Sequence, residues 1–151
     1  LVNPSMPNKQ IVGVFNLELA RIYNYLLQKS NNKYSIIYSL DGYDEISLTN
    51  DTKIYSNSFE RILKSKEFEL ENLKAYEIKG GSDIPSSSKI FMNVLNGVGT
   101  ESQNNVVCAN AGLAISISKN ISIKEGFELA KESLISGKAL DSFNKLKKIM
   151  A

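Results

Sequence analysis

Histidine is absent from this sequence of 151 residues. Its absence excludes Ser-His-Asp and Cys-His nucleophilic catalysis, imidazole acid-base chemistry, and every zinc site that needs a histidine ligand. Any metal ion bound by the chain is therefore expected to be a hard cation held by carboxylates.

Cysteine is almost absent as well. Cys108 is the only one, which excludes an internal disulfide and is typical of a reducing compartment. No apolar run approaches the length of a membrane span, and no signal-peptide pattern is present. The formal net charge is only +2 and the lysines are scattered, so a nucleic-acid partner is not expected. We therefore predict a cytoplasmic protein that contacts neither membrane nor nucleic acid.

The length favours a single α/β domain over residues 1–151. Residues 10–14 (QIVGV) and 33–40 (KYSIIYSL) are typical of strands, and the segment between them has a helical apolar period. Strand, helix and strand in this order predict parallel pairing with a right-handed crossover. Residues 53–55 and 59–63 predict a second, more exposed strand pair, although 59–63 could equally begin a helix. The apolar face of the first helix is predicted to comprise Leu19, Ile22, Tyr23, Leu26 and Leu27.

The second half of the chain is typical of helices. Ser82 or Asp83 can cap the start of one helix, and Ser122 with Glu125 forms a capping-box pattern ahead of another. Residues 106–117 are apolar almost all round, which predicts a central helix covered on both sides. Two further apolar faces are predicted, comprising Ile90, Phe91, Val94 and Leu95 in one helix and Ala139, Phe143, Leu146 and Met150 in the last.

The most informative segment follows the strand at 33–40. Asp41, Asp44 and Glu45 place three carboxylates within five residues, and Asp-Gly at the start of the segment breaks the strand. Such carboxylates repel one another, and Mg²⁺ holding a polyphosphate offsets the repulsion because it prefers oxygen ligands. A solvated acidic turn is the alternative, and spacing alone favours it about two to one. Asp41 is equally suited to supporting a metal ligand and to shaping the turn.

Several motifs, taken in order along the chain, resemble those of one enzyme family. The segment 41–47 (DGYDEIS) is similar to an Asp-Gly-Leu-Asp-Glu-hydrophobic-Ser turn, and 10–15 (QIVGVF) to a Gln-Val-x-Gly-Val-aromatic strand. Further matching segments are Leu1-Val2-Asn3-Pro4, Gly80-Gly81, Val94-Leu95-Asn96-Gly97, Asn110-Ala111, Glu125-Gly126 with Ala130, and Ser136-Gly137-Lys138-Ala139. Together they span essentially the whole chain, which resembles the C-terminal α/β part of anthranilate phosphoribosyltransferase. Tyr43 replaces that family's leucine, a change that could alter packing beneath the acidic turn.

The resemblance implies a mixed, mainly parallel sheet flanked by helices, as in the C-terminal domains of nucleoside phosphorylases and phosphoribosyltransferases. It implies a glycosyltransferase that moves the phosphoribosyl group of phosphoribosyl pyrophosphate (PRPP) to the amine of anthranilate, releasing pyrophosphate, in tryptophan biosynthesis. Asp44 and Glu45 fall at the family's Mg²⁺-binding pair, and Glu45 is also expected to bind PRPP through the metal. No catalytic residue is assigned within this chain.

The resemblance also implies that the chain is a fragment. The family's PRPP loop and its anthranilate-contacting arginine precede the segment at 1–4 and are absent. We expect the intact protein to be a homodimer, and the fragment alone to be monomeric and inactive. Two alternatives stay open: a pyrimidine nucleoside phosphorylase relative, which the Asp-Gly-x-Asp-Glu turn argues against, and a non-catalytic interaction module with the same fold. For Asn110, lining a cleft and tethering its side chain to the backbone both remain open.

Overall fold

The structure is a computed structural model that describes Ser5 and residues 7–150, so the motif at residues 1–4 lies outside the described residues. Four strands and one α-helix come first in the described residues, and four α-helices then follow one another. Two short 3₁₀ helices, Ser65–Phe68 and Ala75–Ile78, connect the two halves. The other elements are β1 (Lys9–Gly13), α1 (Leu17–Leu27), β2 (Lys33–Ser39), β3 (Thr52–Ser56), β4 (Glu60–Leu63), α2 (Ile84–Leu95), α3 (Glu101–Lys119), α4 (Ile123–Ile135) and α5 (Lys138–Met150).

The described strands form one mixed sheet in the order β1-β2-β3-β4. β1 and β2 are parallel, with Ile11 opposite Ser35, whereas the β2–β3 and β3–β4 pairs are antiparallel. The α/β class, the mixed sheet and the parallel β1–β2 pair are thus confirmed, but the sheet is not mainly parallel over the described residues. The connection length explains the antiparallel β3–β4 pair. Only residues 57–59 join β3 to β4, and a parallel pair needs a crossover of about a dozen residues or more.

The sheet is buried on both faces at its centre. Tyr34 and Ile36 of β2 belong to a core cluster on the α1 side, while Ile37 belongs to a second cluster that includes α3 and α4. β3 is also buried, with Ile54 fully inaccessible and Tyr55 nearly so. The predicted strand at 59–63 is confirmed over its helical alternative, but the predicted exposure is wrong for β3 because β3 lies between β2 and β4.

The helix ends follow the capping rules, and these sequence predictions are confirmed. Asp83 accepts a hydrogen bond from the backbone N–H of Ser86 at 2.7 Å and begins α2. Ser122 and Glu125 form the predicted reciprocal capping box at the start of α4. Gly137 has a φ of 78° directly before α5, a left-handed conformation that glycine adopts without steric cost.

The predicted apolar faces are less complete. α1 buries Ala20 and Leu27 against the sheet, while Ile22 and Leu26 are nearly half exposed. On α3 a single face is buried and Val107 is exposed, so that helix is not covered on both sides. α5 packs mainly on α4 and buries none of its side chains completely. Helical periodicity identifies an apolar face, but the width of the layer beneath decides how much of it is covered. The predicted face residues that remain exposed are Ile22, Leu26, Phe91, Leu146 and Met150.

Candidate functional site

The acidic turn, residues 41–47, follows the carboxyl end of β2. It lies between the parallel strands β1 and β2 and the helical layer. Gly42 has a φ of 95°, which explains the need for Gly in the Asp-Gly step. The turn closes on the last residue of β2 because Ser39 N–H donates to the Tyr43 carbonyl and Gly42 N–H donates to the Ser39 carbonyl, both at 2.9 Å. The turn is therefore a folded element with its own hydrogen bonds.

Asp44 and Glu45 are exposed on this turn. Over residues 7–150 neither side chain has a hydrogen-bond or ion-pair partner, although Lys and Arg residues elsewhere pair with Glu60, Glu67 and Glu69. Asp41 differs, because its carboxylate accepts hydrogen bonds from the hydroxyls of Ser47 and Thr49. Asp41 thus shapes the turn, whereas the carboxylates of Asp44 and Glu45 take no part in holding it over the described residues.

The backbone beneath the two carboxylates is anchored to α3 by Asn110. Its Oδ1 accepts a hydrogen bond from the N–H of Ile46 at 2.9 Å, and its Nδ2 donates to the carbonyl of the same residue at 2.9 Å. The second Nδ2 proton is donated to the Val106 carbonyl, also at 2.9 Å. The bond to the Val106 carbonyl confirms the tether to the backbone of its own helix that was considered for Asn110. The two bonds to Ile46, which the sequence did not predict, tether the acidic turn as well.

Two further contacts hold the turn from the strands. A Cβ on Gly13 of β1 would lie 1.8 Å from the Asp44 carbonyl oxygen, so the turn backbone approaches β1 as closely as only glycine permits. The Ser39 hydroxyl on β2, fully buried, donates to the Glu45 carbonyl at 2.6 Å and lies 2.9 Å from the Thr52 hydroxyl of β3. The segment from Asp44 to Ile46 is thus held by β1, β2 and α3.

Leu48 continues this ordered backbone in an unusual conformation. Its φ is 58°, in the left-handed region that costs a non-glycine residue roughly 1–2 kcal/mol. Only 1% of its surface is exposed, and its carbonyl accepts a hydrogen bond from Leu73 N–H at 2.8 Å. Core packing and this hydrogen bond offset the conformational cost and fix where the turn ends.

The donor set of the turn fits a hard divalent cation in part. Carboxylate oxygens are the ligands that Mg²⁺ selects, and Mg²⁺ usually takes one or two carboxylates while the remaining positions go to water and phosphate. The described residues contain no group of three or more acidic, cysteine or histidine side chains that could hold a metal ion. The turn can therefore supply a pair of ligands, and a complete coordination sphere needs oxygens from a substrate or from solvent.

Other residues singled out in the sequence have structural roles. Gly81 lies against Ser86, 2.3 Å from a built Cβ, and belongs to the turn that begins α2. Cys108 is 2% exposed, and burial raises the pKa of its thiol, as expected for a packed small hydrophobe. Tyr43 is 43% exposed, so it does not pack beneath the turn.

Sequence reasoning did not identify Gly13 or Ser39 as parts of the site. Gly13 carried a usable signal, because a glycine inside a strand often marks close approach of another backbone segment. Ser39 carried none, since a serine at the end of a strand is compatible with many roles.

Among the described residues, no single helix has the length and apolarity of a membrane span; α3 and α4 meet that criterion only as a pair bent by 116°.

Comparison with known proteins agrees with this architecture. A family model described as "Glycosyl transferase family, a/b domain" matches residues 1–140. The anthranilate phosphoribosyltransferase of Christiangramia forsetii is 58% identical over 149 residues, which cover 99% of this chain and 45% of that protein. That of Flavobacterium psychrophilum is 54% identical with the same coverage. The resemblance expected from the sequence motifs is therefore confirmed, and the chain spans less than half the length of these curated relatives.

A solved structure of the Saccharomyces cerevisiae anthranilate phosphoribosyltransferase, in complex with PRPP and Mg, has the same fold. It superimposes with a TM-score of 0.81 at 26% sequence identity, covering 93% of this chain and 40% of the yeast chain. The described sheet and its flanking helices thus belong to an architecture shared with that enzyme. The chain belongs to the glycosyl transferase family through its a/b domain.

Proposed function

We propose that this chain is the acidic, Mg²⁺-facing part of an anthranilate phosphoribosyltransferase in tryptophan biosynthesis. The observation that carries the proposal is the pair Asp44 and Glu45: both are exposed and without partners over residues 7–150, on a backbone held by three elements. Relatives with this name are 54–58% identical to the chain, and the yeast enzyme of the same fold was solved with PRPP and Mg.

In the proposed reaction the amine nitrogen of anthranilate attacks C1′ of PRPP. The bond between C1′ and the amine nitrogen forms, the bond from C1′ to the pyrophosphate oxygen breaks, and pyrophosphate leaves with that electron pair. The amine nitrogen releases one proton to solvent. Bound Mg²⁺ would neutralise the charge that develops on the leaving pyrophosphate. Asp44 and Glu45 would hold the ion, with Glu45 contacting PRPP through it. The exposed carboxylates would also stabilise positive charge that develops on the ribose ring.

The substrate itself supplies the nucleophile, so no histidine is required of this chain. Its contribution is to place two carboxylates accurately, and positioning of this kind accounts for much of the catalysis of bimolecular group transfer. The remaining contacts to PRPP and anthranilate would come from the other part of the enzyme, since the chain covers 45% of the length of its relatives. Residues 1–151 would form one domain of a cytoplasmic homodimer and would not consume anthranilate alone.

The test follows the fluorescence of anthranilate in the intact enzyme with PRPP and Mg²⁺. We expect the signal to fall and the fall to stop when the metal is chelated. Asp44→Asn and Glu45→Gln should each raise the Mg²⁺ concentration for half-maximal rate by at least about 10-fold, since even residues outside the first ligand shell contribute 10–100-fold. Glu71→Gln removes another exposed carboxylate outside the turn and should change nothing.

Three outcomes would contradict the proposal. A flat fluorescence trace from folded intact enzyme would exclude the transferase, and phosphate-dependent cleavage of a pyrimidine nucleoside without metal would assign a phosphorylase instead. Unchanged Mg²⁺ dependence in both acidic variants would remove Asp44 and Glu45 from the metal site.

A further inference from the structure

We propose that Asn110 is a positioning residue that sets the affinity of the acidic turn for its divalent cation. The inference rests on the proposed function of Asp44 and Glu45, and it assigns to α3 a role in metal binding through the backbone. Asn110 touches neither carboxylate. It acts on Ile46, the residue that directly follows the acidic pair.

The hydrogen bonds of Asn110 resemble those of a strand partner. One amide side chain satisfies both the N–H and the C=O of Ile46, at 2.9 Å each, and so fixes the position and the rotation of that peptide segment. The remaining Nδ2 proton bonds to the Val106 carbonyl one helical turn earlier. Both N–H donors and the carbonyl oxygen of the amide are hydrogen-bonded, so the side chain has one orientation and transmits the position of α3 to the turn.

Gly13 and Ser39 restrict the same segment from the opposite side. The Asp44 carbonyl rests against Gly13, and the Glu45 carbonyl accepts from the Ser39 hydroxyl at 2.6 Å. Ile46 itself is 1% exposed, so its side chain anchors the turn in the core. With Asn110 intact, the two carboxylate side chains extend from a backbone that is held in one conformation. The backbone freedom that would otherwise be lost on binding a metal is therefore already lost on folding.

Without Asn110, the Ile46 N–H and C=O lose their partners beside a buried side chain. The peptide would then rotate until its N–H and C=O groups form hydrogen bonds with water. The carboxylates of Asp44 and Glu45, two residues and one residue earlier, would move with it. Groups that orient metal ligands without touching the metal typically contribute 10–100-fold in affinity. We therefore expect an Asn110→Ala variant to bind the metal about 10-fold more weakly while the fold is retained.

The experiment uses the intact enzyme with PRPP and Mn²⁺ as a spectroscopic substitute for Mg²⁺, with free Mn²⁺ measured by electron paramagnetic resonance. Amide hydrogen exchange of residues 44–48 is measured in parallel. Asn110→Ser is the second variant, because a serine hydroxyl can still bond to the carbonyl four residues earlier but is too short to reach Ile46. It should preserve stability better than alanine and weaken Mn²⁺ binding equally.

Asn104→Ala is the matched control. It replaces an asparagine by alanine on the same helix. In the unmodified protein the Nδ2 of Asn104 donates to the Gly99 carbonyl, outside the acidic turn. Weakened Mn²⁺ binding and faster exchange at 44–48 in both Asn110 variants, with neither change in Asn104→Ala, is the expected result. Faster exchange with Mn²⁺ binding as in the unmodified enzyme would overturn the positioning role, and so would unchanged exchange.

The proposed reaction can fail separately. If the unmodified enzyme binds Mn²⁺ but consumes no anthranilate, the transferase assignment is wrong while the role of Asn110 stands on the binding data. If the unmodified enzyme binds no Mn²⁺ in the presence of PRPP, the metal site and the role of Asn110 are both overturned.

Discussion

Replacement of Gly13 by alanine tests the close contact between β1 and the acidic turn. A Cβ at this position would lie 1.8 Å from the Asp44 carbonyl oxygen, 2.9 Å from its carbonyl carbon and 3.1 Å from its Cβ. Ordinary van der Waals contact begins at 3.4 Å, so the turn and the strand must separate by about 1.6 Å. The nearest atom belongs to the backbone, and a side-chain rotation cannot relieve the contact.

The expected destabilisation can be estimated from that geometry. Overpacking of a buried site costs roughly 1–3 kcal/mol. The displaced turn would also weaken the Asn110–Ile46 hydrogen bonds, at about 1 kcal/mol for a typical bond. Replacing glycine by alanine also reduces the conformational entropy of the unfolded chain, which stabilises the folded state by about 0.4–1 kcal/mol. The net loss in free energy of unfolding is therefore about 1–4 kcal/mol.

Urea unfolding followed by circular dichroism measures the loss, and the Mg²⁺ dependence of anthranilate consumption measures the displacement of the acidic pair. Gly80→Ala is the control, since nothing lies within 4 Å of a Cβ built there, and it should be neutral or slightly stabilising. The reasoning is refuted if Gly13→Ala unfolds at the same urea concentration as Gly80→Ala and keeps the Mg²⁺ dependence of the unmodified enzyme.

The remaining predictions concern the helical layer. Gly126→Ala should lower the free energy of unfolding by about 2 kcal/mol, measured in urea, because its Cβ would meet the Gly112 carbonyl oxygen at 2.2 Å; an unchanged midpoint would contradict the close α3–α4 contact. Cys108 should react slowly with a thiol reagent until urea unfolds the protein, since burial raises the pKa of its thiol; fast labelling of folded protein would contradict this. In an NMR titration, Ser122→Ala should raise the pKa of Glu125, which the Ser122 hydroxyl and backbone N–H now lower. A lowered pKa of Glu125 stabilises the fold above the unfolded-state pKa, and this contribution is lost as the pH falls through the folded-state pKa. The difference in stability between the two proteins should therefore narrow in acid, where the loss of the hydrogen bond from Glu125 N–H to the Ser122 hydroxyl remains. Equal pKa values for Glu125 would refute the capping box.

Local sequence patterns predicted most of the elements correctly. Asp83 and the pair Ser122–Glu125 cap their helices as predicted, because capping joins groups three residues apart. The strand at 33–40 was recognisable because β-branched and aromatic residues there suit a strand buried on both faces. The extent of burial was less predictable. Ile22 and Leu26 follow the apolar period of α1 yet remain exposed, because the period of a helix gives no information on how wide a sheet it packs against.

The amino-acid sequence by itself determined which groups are available at the acidic turn. It also determined that these 151 residues supply no histidine and that Asp-Gly can turn the chain after β2. The role of Asp41 was undecided until its carboxylate was found bonded to Ser47 and Thr49. That choice depends on how the turn folds back, since a carboxylate can face a metal or a hydroxyl with the same local sequence.

Only the tertiary structure decided what holds Asp44 and Glu45 in place. Asn110 reaches Ile46 across 64 positions of sequence, and Gly13 meets the Asp44 carbonyl from the parallel strand. Local propensities act between residues a few positions apart, whereas these contacts arise when β1, β2 and α3 pack around one core. A sequence pattern can therefore identify two metal-type ligands, but the precision of their placement is a property of the packed elements beneath them.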